Sequence, residues 1–146
     1  MTYKTIDLQV TERKATLTLN RPEAMNAMDF TMMRELSHCF ESLHHEKNVQ
    51  LLVIKGAGKV FSAGGDVKAM VQSTGSSDFG HIMGDISRLV RAYYTLPMIT
   101  IAQIHGAAAG LGFSLALGSD IIVAEHSSKL AMNFIGIGLV PDGGGH

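Results

Sequence analysis

Polar and apolar positions alternate from Tyr3 to Val10 and again from Lys14 to Leu19. A period of two turns one face of each segment to a core, so the pattern predicts two strands joined as a hairpin at Thr11–Arg13. Asn20-Arg21-Pro22-Glu23 breaks the alternation, and the period then changes. Met32, Met33, Leu36, Phe40 and Leu43 fall on one face of a helix that follows an Asp29 N-cap and runs to about His45. The run from Gln50 to Lys55 reads as a buried strand closed by Gly56–Gly58. Phe61 to Asp66 is a loop, Val67 to Val71 a short helix, and Gln72 to Asp78 a polar segment expected to form a mobile loop. Helical spacing returns through Ile82, Ile86, Leu89, Val90 and Tyr93 and stops at Pro97. Met98 to Ile104 predicts a strand, Gly106 to Gly112 a glycine and alanine turn, the residues to about Leu117 a buried helix, and Ile121 to Ala124 a strand. Strands that alternate with helices predict an α/β fold with a largely parallel sheet, and no internal repeat is visible.

The stretch from Pro97 to Ala124 is long enough to raise a membrane span, but Gln103, His105, Ser114, Ser119, Asp120 and several glycines interrupt it. A buried strand–turn–helix–strand unit accounts for it better, and no membrane partner is expected. The chain has 146 residues, 46% hydrophobic and 17% charged, with a formal net charge of −1. That length suits one domain spanning 1–146, and the near-neutral charge argues against nucleic acid as a partner. Cys39 is the one cysteine, so neither a disulfide framework nor a thiolate cluster is expected. It reads as a small hydrophobe on the helix face. The N-terminus lacks an apolar signal region, which together with the sparse cysteine points to a cytoplasmic location. The chain stops in a glycine run, Gly143-Gly144-Gly145-His146, which suggests a fold incomplete at its C-terminus.

Two glycine-rich turns each follow a strand and open a helix: Ser62-Ala63-Gly64-Gly65-Asp66, and His105-Gly106 through Gly112. Free backbone N–H groups point outward at such places, so two converging turns can make an oxyanion hole; the alternative is two ordinary tight turns. The second turn places Leu115 where a dinucleotide fingerprint needs its third glycine, and Gly56-Ala57-Gly58-Lys59 lacks the spacing of a phosphate loop. Ser114, in Gly-Phe-Ser-Leu-Ala, falls one residue short of a nucleophile elbow and leaves a serine hydrolase as a rival. His44-His45 reads as a solvated helix end, His105 as a satisfied core histidine, and no metal site is expected. Asp66 and Asp120 suit capping or salt bridging. Asp142 follows Pro141 after the wholly apolar stretch Phe134 to Val140. Apolar surroundings raise a carboxyl pKa, which suits proton transfer; an N-cap role is the alternative.

Four segments in order resemble the crotonase family, the enoyl-CoA hydratase/isomerase superfamily. They are Leu19 to Ala27 (LNRPEAMNA), Phe61 to Lys68 (FSAGGDVK), Ile104 to Gly112 continuing through Ser119-Asp120-Ile121, and Gly138 to Gly144 (GLVPDGG). The resemblance implies a spiral of ββα units, assembly as a homotrimer or hexamer, and an acyl-CoA substrate. Coenzyme A would arrive as part of that substrate, with no separate cofactor. It also implies thioester-oxygen donors at the Gly65 and Leu111 N–H groups. The segment Asn20 to Ala24, with Ser62, Ala63 and Gly64, corresponds to the part that holds the CoA nucleotide. Lys68 is a candidate phosphate contact, the alternative being an exposed surface lysine. The two glutamates that handle water in the family's hydratases correspond to Ser114 and Phe134, and neither is acidic. Asp142 matches the acid that follows proline in some of the family's isomerases. The resemblance therefore favours moving a double bond from 3-enoyl-CoA to 2-enoyl-CoA. Hydration of 2-enoyl-CoA and non-catalytic acyl-CoA binding by a truncated fragment are the alternatives.

Overall fold

The computed structural model describes residues 2–69 and 79–145. The chain opens with the hairpin β1 (Ile6–Thr11) and β2 (Lys14–Leu19), paired antiparallel from Ile6 opposite Leu19 to Thr11 opposite Lys14. A 3₁₀ turn at Pro22–Ala24 leads into α1 (Phe30–Leu43). Then follow β3 (Leu51–Gly56), α2 (Phe79–Tyr94) and β4 (Ile99–Ile104). Next come β5 (Ala107–Ala109), α3 (Gly110–Leu117), β6 (Ile121–Ala124), β7 (Lys129–Ala131) and a 3₁₀ turn at Asn133–Ile137. The five-stranded sheet runs β1-β2-β3-β4-β6, with every pair after the hairpin parallel. β5 and β7 pair in parallel as a second, small sheet.

The result is the expected spiral of ββα turns. Successive turns add one strand to the large sheet and one short segment to a second stack, in which Ser62 bridges Ala108 of β5 and β5 pairs β7. The core lies between the large sheet and the helices. Leu17, Leu19, Leu52, Ile54, Ala102 and Ile104 point from the strands into it, and Met32, Met33, Leu36, Phe40 and Leu43 meet them from α1. Asp29 caps α1, its carboxylate accepting from the Met32 N–H at 2.8 Å. The Phe40 and Tyr93 rings stack at 4.8 Å and join α1 to α2. Cys39 is buried there as a free thiol, and burial pushes it up to about 12.

Several expectations are corrected. The glycine and alanine turn contains β5, a strand of three alanines whose small side chains let Ser62 approach its backbone. Within the unit expected to be buried, β6 is exposed along its length, with Ile121, Ile122 and Val123 all at least 40% accessible. His105 is no core residue. It is half-buried, with its Nε2 3.0 Å from the Gly58 carbonyl oxygen. The short helix is seen over 67–69, and the expected mobile loop, Gln72 to Asp78, lies outside the described residues. No helix among the described residues is long and apolar enough to cross a membrane.

Gly112 sits where α3 meets the first glycine turn, and a Cβ there would lie 2.5 Å from Ser62 Oγ and 2.6 Å from Ser62 Cβ. Ser62 is held on all sides and has no room to retreat. Gly112→Ala is expected to cost about 1–3 kcal/mol, the range for overpacking a tight site, read as a lower urea midpoint at unchanged slope.

Candidate active site

The two glycine turns meet. Ser62 donates its N–H to the Ala107 carbonyl at 3.2 Å, and its carbonyl accepts from Ala109 N–H at 3.0 Å. Gly64, at φ +103, lies so close to the second turn that a Cβ would stand 2.8 Å from Ala109 O and 3.5 Å from Leu111 N. On its other side the first turn pairs with Met28. Met28 N–H donates to Gly64 O at 2.7 Å, and Asp66 N–H donates to Met28 O at 2.9 Å. Extended backbone alternates its donors, so the Gly65 N–H points away from Met28. Leu111 lies in the first turn of α3, where no intrahelical carbonyl reaches its N–H and no side chain caps the helix. Among the described residues neither N–H has a backbone acceptor.

Both donors open on one cleft of about 120 Å³. Ala63, Gly64, Gly65 and Val67 form one side, and Gly110 and Leu111 another. Asn133, Phe134, Leu139 and Asp142 close it. Asp142 Oδ1 is buried without a hydrogen-bond partner, and burial raises the carboxyl above its usual range. Part of the apolar stretch before it supplies the cleft wall: Phe134 is buried and, with Leu139, lines the cleft beside Asp142, while Ile135 and Val140 are largely exposed.

The cleft thus collects Gly65, Leu111, Asp142, Ala63 and Gly64 from the residues singled out in the sequence. Ser62 stands behind it, fully buried, its hydroxyl donating to Asn26 O at 2.8 Å and accepting from Gly64 N–H at 3.2 Å. Ala24 is half-buried in the 3₁₀ turn and Lys68 is exposed, and neither lines the cleft. The hydrolase reading fails on geometry. Ser114 is fully buried, its hydroxyl has no hydrogen-bond partner, and a serine nucleophile needs a base within reach. Asp66 caps the Ala69 N–H at 3.1 Å and meets Arg21 at 3.2 Å, and Asp120 accepts from Thr100 N–H and Oγ1, so both have the structural roles expected of them. No group of three or more metal-ligating side chains occurs among the described residues.

Sequence reasoning placed Arg21 and Asn26 in the first family segment, with Arg21 in the part toward coenzyme A, but gave neither a structural role of its own. Asn26, at φ +54, accepts from Arg21 N–H and donates to the Ala57 and Val60 carbonyls at 2.8 and 2.9 Å. Arg21 Nη1 donates to Ala27 O at 2.6 Å and pairs with Asp29 and Asp66. Their signal was the clustering of Asn, Arg and Pro in one short break between elements.

Fold and site together define a class: a ββα spiral that turns two free backbone donors and one partly buried carboxyl toward a common cleft. A profile for enoyl-CoA hydratase/isomerase matches residues 11–146, and the chain belongs to that family, the crotonase family. It is 47% identical over 132 residues to the putative enoyl-CoA hydratase/isomerase YhaR of Bacillus subtilis (strain 168), covering 90% of this chain and 51% of that protein. It is 40% identical over 133 residues to the 1,2-epoxyphenylacetyl-CoA isomerase of Escherichia coli (strain K12), covering 89% and 51%. Among solved structures, a putative enoyl-CoA hydratase from Streptomyces coelicolor A3(2) superposes with a TM-score of 0.91 at 33% identity, over 98% of this chain and 54% of that one. The chain spans about half the length of the curated relatives it matches.

Because burial raises Asp142 in the folded state, the native protein holds, between the unfolded and the raised folded values, a proton that the unfolded chain has released. Stability therefore falls as pH rises from the ordinary carboxylate range of about 4 through the raised value. Asp142→Asn removes the charge that must be desolvated. It is expected to unfold at a higher temperature than the parent at pH 7, the gap closing below about pH 4; paired thermal melts at the two pH values check this.

Proposed function

We propose that this protein is an acyl-CoA isomerase that moves a double bond from 3-enoyl-CoA to 2-enoyl-CoA. The observation that carries the reading is the Asp142 carboxyl, its Oδ1 buried without a partner, in the same cleft as the Gly65 and Leu111 N–H groups, neither of which has a backbone acceptor among the described residues. The thioester oxygen accepts from those two donors. The Asp142 carboxylate takes a proton from C2, and the electron pair moves onto the oxygen as an enolate. The same carboxyl then returns the proton to C4, leaving the double bond between C2 and C3. No atom is gained or lost, so one acid/base group is sufficient. Its raised pKa makes it a stronger base toward a weakly acidic C–H. The backbone donors act on the oxygen where charge develops, and each such donor is worth roughly 10²–10³ in rate.

Hydration has less support, because the cleft offers Phe134 where a second acid would activate water. Relatives bear both names. The trans-2-decenoyl-[acyl-carrier-protein] isomerase of Streptococcus mutans is 33% identical, and a probable enoyl-CoA hydratase of Rhodobacter capsulatus is 35% identical. The remainder of the reading follows the resemblance: Ala24, Ala63, Gly64 and the exposed Lys68 toward coenzyme A, with Ser62 shaping the loop, and assembly as a homotrimer or hexamer in the cytoplasm.

The test supplies the chain with a 3-enoyl-CoA and follows conjugation of the product. Conversion to 2-enoyl-CoA is expected. Asp142→Asn should lower kcat by roughly 10²–10⁴ with little change in KM, and the parent's kcat should fall on the acid side as Asp142 protonates. Full activity in Asp142→Asn overturns the mechanism. A 3-hydroxyacyl product from 2-enoyl-CoA identifies a hydratase instead, and binding without turnover identifies a non-catalytic acyl-CoA binder.

A further inference from the structure

The Gly65 N–H sits between two glycine-controlled torsions, Gly64 at φ +103 and Gly65 itself. Glycine torsions are soft, so the direction of that donor must be imposed from outside. Upstream, the Ser62–Ala108 bridge imposes it. Downstream, the Met28 bridge does, through Gly64 O and Asp66 N–H. One side chain grips both halves of this second bridge. Arg21 Nη1 donates to the carbonyl of Ala27, next to Met28, at 2.6 Å and to Asp66 Oδ2, next to Gly65, at 3.2 Å. The same nitrogen lies 3.3 Å from Asp29 Oδ2, on the residue that caps α1.

We propose that Arg21 is a positioning residue for the Gly65 oxyanion donor, its guanidinium clamping Ala27 and Asp66 on the two sides of the Met28–Gly65 bridge. The proposal rests on the thioester reading above. The side chains are only 16–22% exposed, so the pairing is weakly screened and its loss leaves two carboxylates facing each other without a cation. None of the Arg21 side chain's hydrogen bonds or ion pairs among the described residues reaches a residue lining the cleft, so its effect on a bound thioester travels through Asp66 to Gly65. All three contacts converge on one nitrogen, so a lysine ammonium can restore them in part.

The experiment uses the chain with octanoyl-CoA carrying ¹³C at the thioester carbonyl, a probe that cannot isomerise. Infrared difference spectra read the carbonyl stretch, which moves to lower wavenumber when the oxygen accepts hydrogen bonds. The expected result is a clear shift in the parent, most of it lost in Arg21→Gln and partly regained in Arg21→Lys. In the isomerisation assay the loss should appear in kcat, up to the roughly 10²-fold that a misplacement of about 1 Å costs, with KM nearly unchanged. Should Arg21→Gln fail to fold, Asp66→Asn, which breaks the same arm from the other end, takes its place and is expected to lose part of the shift. A parent shift that survives intact in every folded variant overturns the role of Arg21. A parent with no shift at all fails the thioester reading, and the role of Arg21 with it.

Discussion

The structure depends on the backbone bridge between Ser62 and Ala108. It welds two loops that are distant in sequence, and each loop alone is too rich in glycine to hold a shape. Ser62 gives up its N–H and its carbonyl to this purpose, while its hydroxyl ties Asn26 O to Gly64 N–H within the first loop. The neighbours must be small for the backbones to come this close. Ala108 is fully buried, and Gly112 cannot carry a side chain without striking Ser62. Once the weld is made, the first turn of α3 and the Gly64–Gly65 peptide lie side by side. Their unspent N–H groups then face one cleft without any side chain being asked to supply a donor.

Around that weld the polar groups are well matched. The Asn26 amide engages Arg21, Ala57 and Val60, and the Arg21 guanidinium serves a carbonyl and two carboxylates. A buried polar atom left without a partner costs about 1–3 kcal/mol, so such atoms are rare in folded proteins. Among the described residues two stand out, Ser114 Oγ and Asp142 Oδ1. Both border the same glycine segment: a Cβ on Gly145 would lie within 2.4 Å of Ser114 Oγ, and Gly143 follows Asp142 directly. Of the two, Asp142 lines the cleft and Ser114 does not, so an unsatisfied buried atom coincides with the candidate site at Asp142.

What could be read from the sequence follows from how local each signal is. β2, α1, β3, α2 and β4 were legible because apolar positions recur at the period of each element and turn toward the core, and β1 was legible from its alternation although only Ile6 of it is buried. β5 was not, since three alanines carry no strand signature and pair only because Ser62 arrives from far along the chain. β6 looked buried because it is apolar, yet it is exposed, and composition cannot tell an apolar strand at a sheet edge from one at its centre. At the site, Asp142, Gly65 and Leu111 were legible by motif position, and the cleft unites them. The structural roles of Arg21 and Asn26 were not, because their partners lie up to 45 residues away and no local rule pairs them.

The chemistry open to such a cleft is narrowed as much by what surrounds the carboxyl as by the carboxyl itself. Water addition needs one group to activate the water and another to deliver a proton, and two acids facing each other serve that end. Here Phe134 fills part of the cleft wall near Gly110, and Ser114 is fully buried and does not line the cleft. A lone base beside two oxyanion donors can still take a proton from the carbon next to a thioester, because the enolate it creates is held at the oxygen and not at the carbon. On the proposed reading the proton it then carries meets no second carboxyl among the described residues that line the cleft. Returning it to the far end of the delocalised enolate is then the direct way forward. On the proposed reading, a phenylalanine and a serine at the positions that correspond to the hydratase acids leave Asp142 as the one acid/base group, which is all that moving a single proton two carbons along the chain requires.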